Sequence, residues 1–269
     1  MSSSIDEVFH GFTEHSFTHN NETKIFYRGG QGPAVIVMHE VPGIYPGVVE
    51  FARKVIAQGF TVFMPSLMGT PGKEIGVGYS LNTIARLCVM KEFTVFATNK
   101  TSPVIEWLRA LARYAHEECG GPGVGAVGMC FSGGFALGMS VDKHMLAPVL
   151  SQPSMPFALN KKLKSDIGLD EESLAQVKAR VRDENLCVLG LRFSKDFMVP
   201  DERFKRLKDE LGDNFIAVDI DSSLGNPHGI SPVAHSVLVY DNVDQEGHPT
   251  RQALDQVLAF FREKLLTAS

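Results

Sequence analysis

Three kinds of side chain that together carry out acyl transfer follow apolar runs of the chain. Cys130 comes just after the run 123–128, Asp196 follows the run 186–193, and histidines lie in the loop after residue 220. A thiol nucleophile, a carboxylate and an imidazole base form a nucleophilic triad. Parallel strands bring their carboxyl ends to one edge of a sheet, so we expect these groups to meet there.

Cys130 is the strongest of these candidates. It lies in Gly128-Met-Cys130-Phe-Ser132-Gly133, where an apolar strand turns into a small-residue helix to about residue 141. Glycines permit the sharp turn that presents a nucleophile above a sheet, and the helix dipole favours a thiolate at its start. Two alternatives stay open: Cys130 is a small buried apolar residue, or Ser132 is the nucleophile.

The acid and the base differ in how well the sequence defines them. Asp196 is either a turn residue or the group that orients an imidazole, whereas Asp201 is predicted to be the N-cap of a helix that begins near Glu202. His228 and His235 both lie in the loop at 221–248 and are both candidate bases. Nine histidines make any single one a weak signal.

Alternating strand and helix patterns predict an α/β fold with a mostly parallel central sheet and helices on both faces. We expect one domain over residues 1–269, with a charged helical excursion at about 155–184. The predicted strands are an edge hairpin at 15–28 and the runs 34–39, 61–64, 123–128, 147–150, 186–193 and 215–220. The predicted helices are 47–58, 102–117, 131–141, 201–211 and one from Pro249, with helical character around 80–96.

Composition indicates an ordinary globular protein and excludes several partners. The chain has 269 residues, 44 % of them hydrophobic, and a net charge of −5, which argues against nucleic acid. No apolar run approaches the length of a membrane helix, and the N-terminus lacks a secretory pattern. The four cysteines lack metal-site spacing, so we expect reduced thiols in a cytoplasmic protein.

The chain resembles the dienelactone hydrolase family of α/β-hydrolases, through two motifs about 90 residues apart. Gly128-Met-Cys130-Phe-Ser132-Gly133-Gly resembles the family's Gly-x-Cys-x-Gly-Gly, although Ser132 displaces one glycine. Val35-Ile-Val-Met-His39-Glu40-Val41-Pro-Gly43 resembles its strand-ending His-Glu-x-x-Gly. The resemblance spans residues 23–266. It favours His235, in His235-Ser236-Val237, over His228 as the base.

The resemblance also implies roles for further residues. Glu40 would hold or take the proton of the Cys130 thiol. The backbone N–H groups of Val41 and Phe131 would form an oxyanion hole. Arg86 would bind a substrate carboxylate, but Val239 stands where a second arginine is expected, so this clamp is incomplete.

The sequence therefore predicts a hydrolase of small esters or lactones that acts through a thioester acyl-enzyme on Cys130, with His235 and Asp196. The alternatives are a thioesterase or general carboxylesterase of the same fold, and a ligand-binding protein on a hydrolase scaffold. No metal or organic cofactor is implied. The expected partner is a small-molecule substrate, with no nucleic acid or membrane, in a monomer or small homo-oligomer.

Overall fold

The computed structural model describes residues 5–80, 82–83, 102–154 and 161–266, with the backbone alone at 161 and 162. Within these ranges eight strands form one sheet. They are β1 (Thr13–His19), β2 (Glu22–Gly30), β3 (Ala34–Met38), β4 (Thr61–Pro65), β5 (Val124–Met129), β6 (Met145–Ser151), β7 (Val188–Phe193) and β8 (Phe215–Ile220).

Helices pack around the strands, and the predicted ones at 47–58, 102–117, 131–141 and 201–211 begin and end within two residues of their predicted bounds. They are α1 (Ile5–Val8), α2 (Pro46–Ile56), α3 (Pro103–Cys119), α4 (Gly133–Met139), α5 (Lys161–Lys164), α6 (Glu171–Glu184), α7 (Asp201–Leu211) and α8 (Pro249–Leu265). Residues 77–80, 82 and 83 are also helical, and the rest of the segment predicted as helical at 80–96 lies outside the described residues.

The strands lie in the order β1-β2-β4-β3-β5-β6-β7-β8. The pairs β1–β2 and β2–β4 are antiparallel, and the pairs from β4 through β3 and β5 to β8 are parallel. This mostly parallel sheet with crossover helices is the predicted α/β fold. Its parallel part directs the loops after β3, β5, β6, β7 and β8 to the same edge.

Two apolar layers cover the faces of the sheet, because successive strand residues point to opposite sides. Ile36 and Met38 pack into one layer, which includes residues of α3, α4 and α7. Val35 and Val37 pack into the other, which includes residues of α2 and α8. Central strands β3, β4 and β5 are buried along their whole length, as strands covered on both faces must be.

Helices α5 and α6 lie between β6 and β7, in the region predicted as a charged excursion. No helix in the described part of the chain is long and apolar enough to cross a membrane.

The prediction that Asp201 caps α7 is wrong. Pro200 occupies the N-cap position, and Asp201 is the first residue of the helix. The Asp201 carboxylate instead pairs with Arg192 at 2.6 Å.

The turn after β5 depends on Gly128. A Cβ at this residue would lie 2.0 Å from the carbonyl oxygen of Ser132, well inside the distance of any real contact. Cys130, at the tip, has a φ of +56°, a strained value for a residue with a side chain. Glycine at the strand end therefore permits the chain to fold back tightly under the thiol.

Gly128→Ala should destabilise the fold by about 3 kcal/mol, since the contact is with backbone that has no room to move. Urea unfolding followed by circular dichroism measures the change. Gly76→Ala is the matched control, because a Cβ there meets nothing within 4 Å. Equal stability of the two variants would contradict this account of the turn.

Candidate active site

The carboxyl edge of the parallel strands brings the predicted site residues into adjacent loops. Glu40 and Val41 follow β3, and Cys130 and Phe131 follow its neighbour β5. Asp196 follows β7. His235 lies in the loop between β8 and α8 and returns to the same edge, where it contacts Asp196.

Cys130 begins a 3-10 turn, Cys130–Ser132, that leads directly into α4. Its side chain is buried, with 6 % of the residue exposed. The carbonyl of Cys130 accepts the backbone N–H of Ser154 at 3.0 Å, which ties the turn to the loop after β6.

Ser132, the rival nucleophile, is fully buried and its hydroxyl is used by the backbone. The oxygen accepts the N–H of Met129 at 2.9 Å and lies 3.1 Å from the carbonyl oxygens of Met38 and His39. These contacts join the end of β5 to the end of β3. Ser132 thus has a structural explanation for its place in the motif.

His235 and Asp196 form a close pair. The ring Nδ1 of His235 donates to Oδ2 of Asp196 at 2.6 Å, and Oδ1 of this buried carboxylate accepts the N–H of Met198 at 2.9 Å. His228 is exposed, and its ring lies 5.4 Å from the ring of His248. Of the two candidate bases, His235 is therefore the one beside Asp196.

The charge environment of His235 favours the imidazolium. Burial lowers the pKa of His235, but the charge of Cys130 and the hydrogen bond and charge of Asp196 outweigh burial and raise the pKa well above 6.5. An imidazolium between a sulfur atom and a carboxylate can hold a proton ready for a leaving group.

Asp241, which sequence reasoning missed, closes the loop that carries the imidazole. Its Oδ2 accepts the backbone N–H groups of His235 at 2.8 Å and Ser236 at 2.9 Å. The N–H of Asp241 in turn donates to the carbonyl of Ser236 at 3.0 Å. These bonds make residues 235–241 a compact turn rather than a free loop.

Glu40 is buried, with three donors on its two oxygens. The hydroxyls of Tyr45 and Ser236 both donate to Oε1, the latter at 2.7 Å, and Nε2 of Gln152 donates to Oε2 at 2.9 Å. Burial raises the pKa of Glu40, while the hydrogen bonds and the charge of His235 act against this shift. Among the described residues, no hydrogen bond joins Glu40 to the Cys130 thiol.

Tyr45, Gln152, Ser154 and Ser236 are further residues of the site that sequence reasoning missed. Ser154 Oγ lies 3.4 Å from Nε2 of His235. Residues of these types occur throughout the chain, and Gln152 is 112 positions from Glu40. Only the place of Gln152 and Ser154 just after β6, at the edge where ligands bind, could have indicated them.

His39 orients the backbone that leads to Val41. This fully buried ring contacts the Glu40 carbonyl through Nδ1 at 2.9 Å, and its Nε2 accepts the N–H of Leu67 at 3.0 Å. Burial lowers the pKa of His39 to about 4, so the ring is neutral at physiological pH and Nδ1 is the donor. The bond fixes the residue before Val41, one of the two predicted oxyanion amides.

The predicted carboxylate clamp remains a prediction. Arg86 lies outside the described residues. Val239, at the position where the resemblance leads one to expect arginine, packs against the apolar layer of α2 and α8. A Cβ on Gly47, near the start of α2, would lie 2.8 Å from Cγ1 of Val239.

Arg203, on α7, connects three segments around the site. Its guanidinium donates to the carbonyls of Pro153 at 2.8 Å and Met198 at 3.0 Å. It also donates to the carbonyls of Asp166 at 2.7 Å and Leu163 at 3.3 Å, in the excursion between β6 and β7. The guanidinium is buried, and this burial lowers its pKa to about 10. Arg203 therefore stabilises the loop of Asp196 through its bond to the Met198 carbonyl.

No group of three or more histidine, cysteine or acidic side chains that could hold a metal ion occurs in the part of the chain that the structure describes.

Residues 22–265 match the dienelactone hydrolase family when the chain is compared with known protein families. The chain belongs to this family. Both resembling motifs lie inside the matched region, and the membership identifies the protein as a hydrolase of this family. A search of curated proteins finds no match.

Solved structures share the fold at low sequence identity. A dienelactone hydrolase-like promiscuous phosphotriesterase from metagenomic libraries has a TM-score of 0.62 and 17 % identity, covering 95 % of this chain and 99 % of its own. The dienelactone hydrolase of Anabaena variabilis has a TM-score of 0.59 and 13 % identity, over 95 % and 100 %. A cold-adapted esterase from an Arctic intertidal metagenomic library has a TM-score of 0.57 and 13 % identity, over 95 % of each chain.

The pKa of His235 should fall in both Cys130→Ala and Asp196→Asn, because each variant removes a charge that raises it. NMR titration of the imidazole Cε1 proton measures the shift. The signal of His248, whose pKa is lowered by its burial and by His228, is the internal control. An unchanged His235 titration in both variants would show that these two neighbours do not set its charge.

The neutral His39 should make the fold sensitive to acid. Unfolded chains bind a proton at this residue near pH 6.5, whereas the folded chain binds it near pH 4, so stability is complete above 6.5 and falls as the pH drops towards 4. His39→Gln should reduce the loss of unfolding free energy between pH 7 and pH 4.5 by about 2 kcal/mol. Urea unfolding at several pH values measures it, and an equal loss in His39→Gln and the unmodified protein would contradict this account.

Proposed function

We propose that the protein hydrolyses small esters or lactones through a covalent thioester on Cys130. The observation that carries this proposal is the position of His235, whose ring bonds to Asp196 at 2.6 Å while it interacts with Cys130 at the strained turn. Membership of the dienelactone hydrolase family supports the same chemistry.

In the proposed first half-reaction, the Cys130 sulfur attacks the carbonyl carbon of the substrate, and the carbonyl oxygen becomes an oxyanion. The backbone N–H groups of Val41 and Phe131 stabilise this oxyanion. As the tetrahedral intermediate collapses, the C–O bond breaks and the His235 imidazolium gives its proton to the leaving oxygen. A lactone keeps its leaving oxygen tethered to the acyl group.

In the second half-reaction, neutral His235 takes a proton from water, which attacks the thioester carbonyl. The C–S bond then breaks, and the acid product leaves with Cys130 as thiolate beside the re-formed imidazolium. Asp196 stabilises the charge on His235 in both halves and holds the ring so that Nε2 faces the reaction.

Cys130→Ala and His235→Ala should each lower kcat/KM for an aryl ester by at least about a thousandfold, because triad members act as a unit. His228→Ala is the matched control and should retain activity, since His228 is exposed and lies away from Asp196. Full activity in Cys130→Ala would remove the proposed nucleophile.

The acyl-enzyme itself should be visible by mass. Brief exposure to a panel of lactones, aryl esters and acyl thioesters, followed by intact-mass analysis, should give an adduct that maps to Cys130. Its absence from Cys130→Ala is the control. Thioester turnover far above that of esters and lactones would reassign the enzyme as a thioesterase.

A further inference from the structure

Glu40 connects the three loops that would carry the catalytic groups. Tyr45 is the residue just before α2, at the end of the segment that includes Val41. Gln152 follows β6, two residues before Ser154. Ser236 is next to His235. All three donate to one buried carboxylate, so this single group fixes the loops relative to each other.

The bonds around this carboxylate are suited to holding its partners in place. Burial raises the pKa of Tyr45, so its hydroxyl stays protonated and donates. Gln152 uses its other amide atom, Oε1, to accept the N–H of Val237 at 3.3 Å and the hydroxyl of Ser151. Ser236 Oγ also accepts the N–H of Tyr240 at 2.9 Å. Glu40 thus bonds directly to Ser236 and is connected to Val237 through Gln152.

His235 and Asp241 are the charged groups that act on Glu40 from the loop packed against it. Asp241 binds the backbone of His235 and Ser236, while Glu40 binds the Ser236 side chain. His235 is therefore held by Asp196 at its ring, by Asp241 at its backbone N–H, and by Glu40 through Ser236.

We infer that Glu40, through Ser236, Tyr45 and Gln152, is a positioning residue that places the His235 loop against Cys130, rather than a proton partner of the thiol. This inference rests on the proposed function. A carboxylate whose two oxygens already hold three donors is poorly placed to hold the thiol proton as well. The same bonds explain how His235 is held near Cys130 although the two residues are 105 positions apart in the chain.

A double-mutant cycle of Glu40→Gln and Ser236→Ala separates the two roles. We expect each single variant to lower kcat on an aryl ester about 10- to 100-fold, because a misplaced base reacts slowly, with KM within about threefold. The kcat of the double variant should lie within about threefold of the kcat of the less active single variant, since both substitutions break the same Glu40–Ser236 hydrogen bond. Losses that multiply would overturn the inference.

A second measurement follows the thiol directly. The rate of Cys130 alkylation by iodoacetamide, read from its peptide mass across pH, should shift equally in Glu40→Gln and Ser236→Ala. A shift in Glu40→Gln alone would assign Glu40 to the thiol and overturn the inference. Ser140→Ala is the matched control, because this buried hydroxyl donates to the Ala136 carbonyl away from the site.

Tyr45→Phe tests the other side of the carboxylate without changing its charge. It should lower kcat and combine with Glu40→Gln without further loss. Tyr27→Phe, which removes the hydrogen bond from Tyr27 to Glu14, is the matched control and should leave kcat unchanged.

The NMR signal of the His235 ring reports its surroundings without turnover. If Cys130→Ala retained activity and the proposed function failed, a shared change of this signal in the Glu40, Ser236 and Tyr45 variants would still support the inference, and three unrelated responses would overturn it.

Discussion

The close approach of β5 to its own turn is the constraint on which the site depends. The Gly128 backbone lies against the Ser132 carbonyl with no room for a side chain, and the Ser132 hydroxyl reaches across to the end of β3. One serine thereby closes the turn and joins the two strands whose loops carry Cys130 and Glu40. The strained φ of Cys130 persists because these surrounding contacts determine it, as is usual for strain at functional sites.

Three carboxylates surround His235, and each acts on it differently. Asp196 bonds to the ring, Asp241 bonds to the backbone N–H, and Glu40 acts through its charge and through Ser236. The two buried carboxylates, Glu40 and Asp196, are themselves held by hydrogen bonds, which is what makes their burial tolerable. Asp196 thus affects both the charge and the orientation of the His235 ring, while Asp241 holds its backbone and Glu40 holds the neighbouring Ser236.

Much of the fold and part of the site could be predicted from the sequence, because both depend on local patterns. Apolar runs of strand length, a glycine-flanked cysteine and a loop histidine are visible in the chain itself. The bonds of Glu40 were not predictable, since they join Tyr45, Gln152 and Ser236 across distant parts of the chain and use common residue types. For Asp201 a local pattern led to a wrong prediction. Its place at the start of a helix favoured capping, but its carboxylate pairs with the buried Arg192 on β7, which lies outside that pattern.

Arg203 limits how the region between β6 and β7 can vary. Its planar guanidinium donates to four carbonyls at once, two in the excursion and two in the loops after β6 and β7. A lysine could not match this fork of donors. Insertions or deletions between residues 163 and 166 would move a carbonyl away from the guanidinium and, through Met198, disturb the turn that holds Asp196.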